Sequence, residues 1–409
     1  MVSVKVEAED AEHCRNIKGI EKFIILRQSL ASLADNFSAP YIGYYLASLT
    51  PSGAIQGVLQ FSTNALPTLA QVLIGPYIDR FKKYVFVLFI SSFIASFLWI
   101  FISLIQNPLT LTTLVTLRAV LVGVAGLSFT SLIGVVFKGS ERGRVISNVN
   151  AVSQLMALIT FVIIAMLINP SIDTLRMLFV FSGVLSTIAS VFWIRMFFLD
   201  KCISREGELS NLGLAKVLSI VIRNRYFVKF SLIFSAHMMV VAFAWPLFPL
   251  MQRYVFKMSV SEIAILNICG TASQIVFQLI VTKYVHRLKI KKMLVISRVG
   301  ILTYTLSYAL ATNTIHIYIA NAILGPFIAL SNVLIPLYVF QTSTYGMYAS
   351  YLATLNFMQG IASALGSIIG GTVVDRFIMN NDFNSIKLLM LLISIFRGLT
   401  ALLLLKIRD

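Results

Sequence analysis

Apolar residues run through the chain in twelve blocks, at roughly 23–46, 54–78, 84–105, 111–137, 146–168, 174–198, 226–251, 260–284, 293–312, 315–340, 347–374 and 385–406, separated by short polar connections. A helix rising 1.5 Å per residue needs about 20 mostly apolar residues to cross the hydrocarbon of a bilayer, and each block satisfies that. Pro67, Pro246, Pro249, Pro326 and Pro336 interrupt several blocks, which membrane helices tolerate when neighbours satisfy the freed carbonyls. The pattern predicts an all-α integral membrane protein with twelve transmembrane helices.

Composition sharpens this. Of 409 residues 58% are hydrophobic and 12% charged, with a mean hydropathy of +0.88, far from the balance of a soluble domain. The net charge of +17 does not indicate nucleic-acid binding, because Lys and Arg fall in the connections instead of on one folded basic face. Assigning the N-terminus and every second connection to one side collects about 22 basic residues there, against about 5 on the other, so that side is expected to be the cytoplasm, with both termini inside. Residues 1–22 form a charged cytoplasmic segment without the layout of a cleavable signal peptide. The longest inner connection, 199–225, separates two halves, 23–198 and 226–409. Within it, Leu212 to Arg223 has helical apolar spacing and reads as a half-buried linker helix or one lying along the membrane surface. Cys14, Cys202 and Cys269 are too far apart for a disulfide framework or zinc site, and no cofactor is indicated.

The halves echo each other. Gly75-Pro-Tyr-Ile-Asp-Arg-Phe-Lys closes the second span and Thr282-Lys-Tyr-Val-His-Arg-Leu-Lys289 closes the eighth, while Arg142-Gly-Arg-Val-Ile-Ser follows the fourth and Tyr345-Gly-Met-Tyr-Ala-Ser the tenth. Duplicated bundles are a mark of secondary transporters.

Across essentially its whole length the chain resembles the major facilitator superfamily, whose connection after the second helix reads G-x-x-x-D-R-x-G-R-[RK]. Gly75, Asp79, Arg80 and Lys83 match it, while Lys82 stands at the second Gly and Tyr84 at the last basic position. Arg118 in the fourth span, followed by Gly123, fits a second family feature. The resemblance implies two pseudo-symmetric six-helix bundles that alternate access to a central cavity built from helices 1, 4, 7 and 10. It also implies a latch in which Asp79 meets the start of the eleventh helix near Gly346, with Arg142 and Arg144 close by. An anion at a helix N-terminus is stabilised by about 0.3–1 kcal/mol. Arg80, Lys82 and Lys83 either join this latch or only fix topology.

An ionisable group inside the membrane costs at least about 2.5 kcal/mol, so each is a functional candidate. Asp35 is about 18 Å into the first span and Arg118 about 20 Å from the cytoplasm in the fourth, so they share a depth and are expected to couple, with the acid exchanging the driving proton. An acid and an Arg so placed resemble proton-coupled multidrug antiporters of the superfamily, although 146–168 lacks the Gly-Pro signature of antiporters. Arg397, halfway along the twelfth span, either faces the cavity or pairs with a polar neighbour. Arg27, Arg298 and Glu262 are expected to snorkel. His237, with Trp245 two turns on, is either a packing histidine or a proton site. Asn321, Gly325 and Asn332 form a stripe that lines a substrate path or bonds neighbouring helices, and so do Gln60, Asn64 and Gln71; Gly360, Gly366, Gly370 and Gly371 allow close helix approach.

Neither HExxH, G-x-S-x-G nor a Walker A loop occurs, which excludes the common hydrolase and ATP-driven classes. The expected activity is secondary transport of a small organic solute, proton-driven, as a drug or metabolite exporter. The alternatives are uptake of a nutrient or organic anion by symport, and a receptor or scaffold that kept the fold. A monomer in the cell membrane is expected.

Overall fold

The computed structural model describes residues 17–137, 140–166, 171–205, 214–284, 289–343 and 348–407, almost wholly as helix. The first span is α1 (Ile17–Asn36) and α2 (Ile42–Leu49), joined by a 3-10 turn at Ala39–Tyr41. The rest of the first half is α3 (Gly53–Phe81), α4 (Tyr84–Leu104), α5 (Pro108–Val136), α6 (Ser140–Ala165) and α7 (Ile172–Val191). Two short helices, α8 (Phe198–Arg205) and α9 (Leu214–Arg223), occupy the connection between halves. The seventh span is α10 (Arg225–Phe243) with α11 (Leu247–Leu250), followed by α12 (Val260–Tyr284), α13 (Ile290–Gly300) with α14 (Leu302–Leu310), α15 (Thr314–Thr342), α16 (Tyr348–Ile378) and α17 (Phe383–Leu402). These are the twelve spans. Ten are long and apolar enough to stand out by hydropathy; α1 and α3 carry too many polar residues to do so.

Helix starts follow local chemistry. The Asn107 side chain accepts from Leu109 and Thr110 ahead of α5, where Pro108 contributes no N–H, and Asn224 caps α10. Glu262, expected to snorkel, instead forms a capping box with Ser259 at the start of α12, its carboxylate 2.7 Å from the Ser259 N–H. Large side chains such as Leu104, Leu279 and Leu73 are about 70% exposed, the outer face of a molecule solvated by lipid.

Packing differs between the two ends of the molecule. At the near end, where the described chain begins and stops, each half has its own core. One gathers Ile24, Leu88, Phe137 and Trp193; the other gathers Phe230, Leu294, Tyr338 and Tyr351. Val221 of α9 joins the second, so the linker helix is partly built into that half. At the far end a single core joins both halves, through Tyr41, Tyr44, Tyr45 and Leu59 with Leu250, Met258, Ile317 and Val374. Hydrogen bonds between halves gather there too. Tyr44 Oη donates to the Met258 carbonyl at 2.7 Å and accepts from Arg253 at 3.1 Å, and Tyr254 Oη donates to the Ala47 carbonyl at 2.6 Å. The halves are therefore closed at the far end and have separate cores at the near end.

Candidate functional site

Two helix breaks lie at matching places in the halves. After Asp35, α1 stops, Ser38 and Phe37 turn back onto the Asp35 and Ala34 carbonyls, and Pro40 has no N–H to continue the ladder. In the second half α10 stops at Phe243, ahead of Pro246. Discontinuous helices expose backbone and side-chain groups at depth in the membrane, and transporters place their binding groups there.

Asp35 stands at the first break. Its carboxylate accepts from the Arg118 guanidinium of α5 in an ion pair, and from Trp99 Nε1 of α4 at 3.4 Å. The Trp99 ring lies 4.1 Å from the Arg118 guanidinium and stacks on Phe179 of α7. Arg118 is almost enclosed, with 12% of its side chain exposed, whereas Asp35 is 42% exposed. The pair lines a cleft of about 170 Å³ between α1, α4, α5 and α7, with Arg27, Gln28, Ser96 and Ser186. Arg118 Nε and Ser186 Oγ are buried there without hydrogen-bond partners.

Arg27 does not snorkel. It is buried, donates from Nε to the Ala189 carbonyl at 3.2 Å and covers the Trp193 ring at 4.9 Å. The cause is that the described helix already covers Ile17, six residues before the apolar block, so Arg27 is nearly three turns inside it. Arg298 is likewise buried, over the Phe234 ring at 4.4 Å.

The second half holds a separate polar cluster. Arg397 bonds Thr305 Oγ1 and the Val241 carbonyl, so its charge sits on the broken C-terminal end of α10, where the helix dipole favours a cation. His237 is fully buried, with Nδ1 3.0 Å from Thr400 Oγ1 of α17. Both lie between α10, α14 and α17, apart from the cleft of the first half. Trp245 sits half-buried just beyond the end of α10. Asn321 donates to the Leu266 carbonyl of α12, and a Cβ on Gly325 would meet Gln274 N at 2.6 Å; these two pack α15 against α12, while Asn332 is exposed. In α3, Gln71 donates to the Gly123 carbonyl of α5. Gly366 and Gly370 lie on the backbone of α10, and Gly360 and Gly371 face α3.

In the loop motif, Gly75 faces Leu127 and Lys83 stands at the N-cap of α4, its Nζ 5.8 Å from the Phe86 ring. Arg144 bonds Glu21 of α1 at 3.0 Å, within its own half. The side chains of Asp79, Arg80 and Arg142, and residue Gly346, lie outside the described residues. Among the described residues no three His, Cys, Asp or Glu side chains gather as a metal site. Trp99, Arg27 and Ser186 were not foreseen as site residues; the one available signal was a Trp at mid-depth in α4.

Twelve helices in two halves with separate cores at one end, and a charged cleft within the first half, define a carrier and not an enzyme. The model of the Major Facilitator Superfamily matches residues 24–367, and the chain belongs to that family of small-solute transporters. No curated protein sequence matches it. Among solved structures, the nucleoside transporter NupG superposes with a TM-score of 0.74 at 15% identity, covering 96% of this chain and 100% of that one. A bacterial homologue of the human lysosomal transporter Spinster, inward-facing and occupied, gives 0.65 at 13%, covering 95% and 96%. The E. coli fucose:proton symporter FucP gives 0.55 at 14%, covering 95% and 98%. At these identities the likeness is one of fold.

Proposed function

We propose that the protein is a proton-coupled carrier in the cell membrane that takes up a small organic anion by symport, with Asp35 binding the proton and Arg118 the anion. The observation that carries this is the Arg118–Asp35 ion pair on the wall of the cleft, with Arg27 as a second guanidinium and no other carboxylate among the cleft-lining residues. An enclosed guanidinium stripped of its partner is strongly disfavoured, by about 3–5 kcal/mol for a buried pair. Protonating Asp35 releases Arg118, which then takes a substrate carboxylate or phosphate in its place. Proton and anion bind together, and the loaded cleft carries the same formal charge as the empty one. Both forms can therefore reorient.

Export by cation antiport, expected from the acid and Arg in the first and fourth spans, requires a free carboxylate, and here Arg118 holds it. The basic residues of the connections support a cytoplasmic near end, so that the closed far end faces outward. His237 and Arg397 act in packing on this reading, because each is bonded inside the second half.

The test is transport in proteoliposomes under an inward proton gradient, screening labelled monocarboxylates, sugar acids and organic phosphates. Asp35→Asn, which resembles the protonated acid, should abolish gradient-driven accumulation and retain substrate exchange. Unchanged accumulation in that variant would remove the assignment.

A further inference from the structure

We infer that Asp375 is a gate residue: with Gly371 it forms a far-end latch that holds this protein closed on that side, the counterpart of the motif at the other end of α3. The sequence Gly371-Thr-Val-Val-Asp375-Arg376-Phe377 repeats the pattern of Gly75-Pro-Tyr-Ile-Asp79-Arg80-Phe81 at all four defined positions. The two copies occupy the last turns of α16 and α3, which pack against each other across the halves, as α6 and α12 also do. Because α3 and α16 run antiparallel, the C-terminal end of each lies beside the N-terminal end of the other. One copy therefore sits at each end of the molecule.

The α16 copy is engaged. The Asp375 carboxylate accepts from the Gly53 N–H, from the Ala54 N–H at 3.0 Å and from Ser52 Oγ at 3.4 Å, which places a negative charge on the first turn of α3 in the other half. The glycine is what lets the carboxylate arrive. A Cβ on Gly371 would strike the Gly53 carbonyl, and one on Gly57 would lie 2.6 Å from the Ser367 carbonyl, so the two backbones touch without side chains between them.

Asp200 provides the contrast. It caps α4 in the same way, accepting from Val85 at 2.8 Å and Phe86 at 2.9 Å, but both partners belong to the first half, so that cap persists whichever end is open. The Asp375 cap spans the halves and exists only while the far end is shut. Opening the far end must break it and expose the Gly53 and Ala54 N–H groups, while the Ile55 and Gln56 N–H groups stay bonded to Ser52 within the first half.

The experiment measures maleimide labelling of Thr68→Cys, a half-buried position on the α3–α16 crossing, in a chain whose Cys14, Cys202 and Cys269 are replaced by Ser. Membrane-impermeant reagent is applied to each face separately. Asp375→Asn should raise far-side labelling about two- to tenfold and lower near-side labelling correspondingly. Gly371→Val keeps the carboxylate and wedges the crossing apart, so it should shift labelling the same way and serves where Asp375→Asn fails to insert. Unchanged labelling from both faces in either inserted variant overturns the inference and reduces Asp375 to a local cap. Since the readout needs no substrate, it stands apart from the symport assignment.

Discussion

Lys82 holds φ 52° and ψ 29° where the superfamily pattern has its second glycine. Left-handed backbone costs a residue with a Cβ about 1–2 kcal/mol, which explains the family's glycine in physical terms. Lys82→Gly should therefore raise stability by about 1 kcal/mol, read as a higher melting temperature in detergent; a lower one would mean that the Lys82 side chain contributes more than the strain costs. Arg118→Lys should be far from conservative, because an ammonium cannot hold Asp35 and also present an Nε–H to the cleft. Substrate affinity should fall at least tenfold in a binding assay, with the proton site on Asp35 retained. Depth arithmetic from sequence was enough to bring Asp35 and Arg118 to one level, because helical rise is constant. It could not supply Trp99, since rise says nothing about which neighbouring helix a side chain faces.

At the scale of elements, apolar blocks located all twelve spans but misjudged where helices begin. Helix α1 continues six residues below its apolar block because Lys18, Glu21 and Lys22 cost nothing outside the hydrocarbon, and that offset is why Arg27 lies deep. The breaks were half legible: Pro246 marks the second, while the first needs Pro40, and these two prolines stand at nearly the spacing of the other internal echoes. How α10 is held at its break was not legible, because the Val241 carbonyl accepts from Ala244 and also from Arg397, which lies on a helix distant in sequence. Arg397→Lys keeps the charge but cannot reach Thr305 and Val241 together. It should destabilise the protein by about 1–3 kcal/mol in thermal unfolding, and an unchanged melt would show that the bonded fork contributes nothing.

For the whole molecule, the question the sequence leaves open is which end is shut. A twelve-span pattern with internal echoes describes both conformations equally well, since each is made from the same helices and differs only in which inter-half contacts form. The far-end closure rests on contacts between residues about 200 or more positions apart: Tyr44 with Met258 and Arg253, Tyr254 with Ala47, and Asp375 with the start of α3. Each hydrogen bond of this kind is worth about 0.5–1.5 kcal/mol net, so losing one shifts a two-state equilibrium about two- to tenfold. Tyr44→Phe removes two such bonds and leaves the ring packed, and Tyr254→Phe removes one. Both should raise far-side labelling of the cleft, Tyr44→Phe the more, and both should weaken by the same factor any inhibitor that binds only from the near side, because only the population competent to bind has changed. Equal labelling with weakened inhibitor binding would instead mean that the substitutions act on the binding site itself, and the far-end contacts would then have no part in setting the conformational balance.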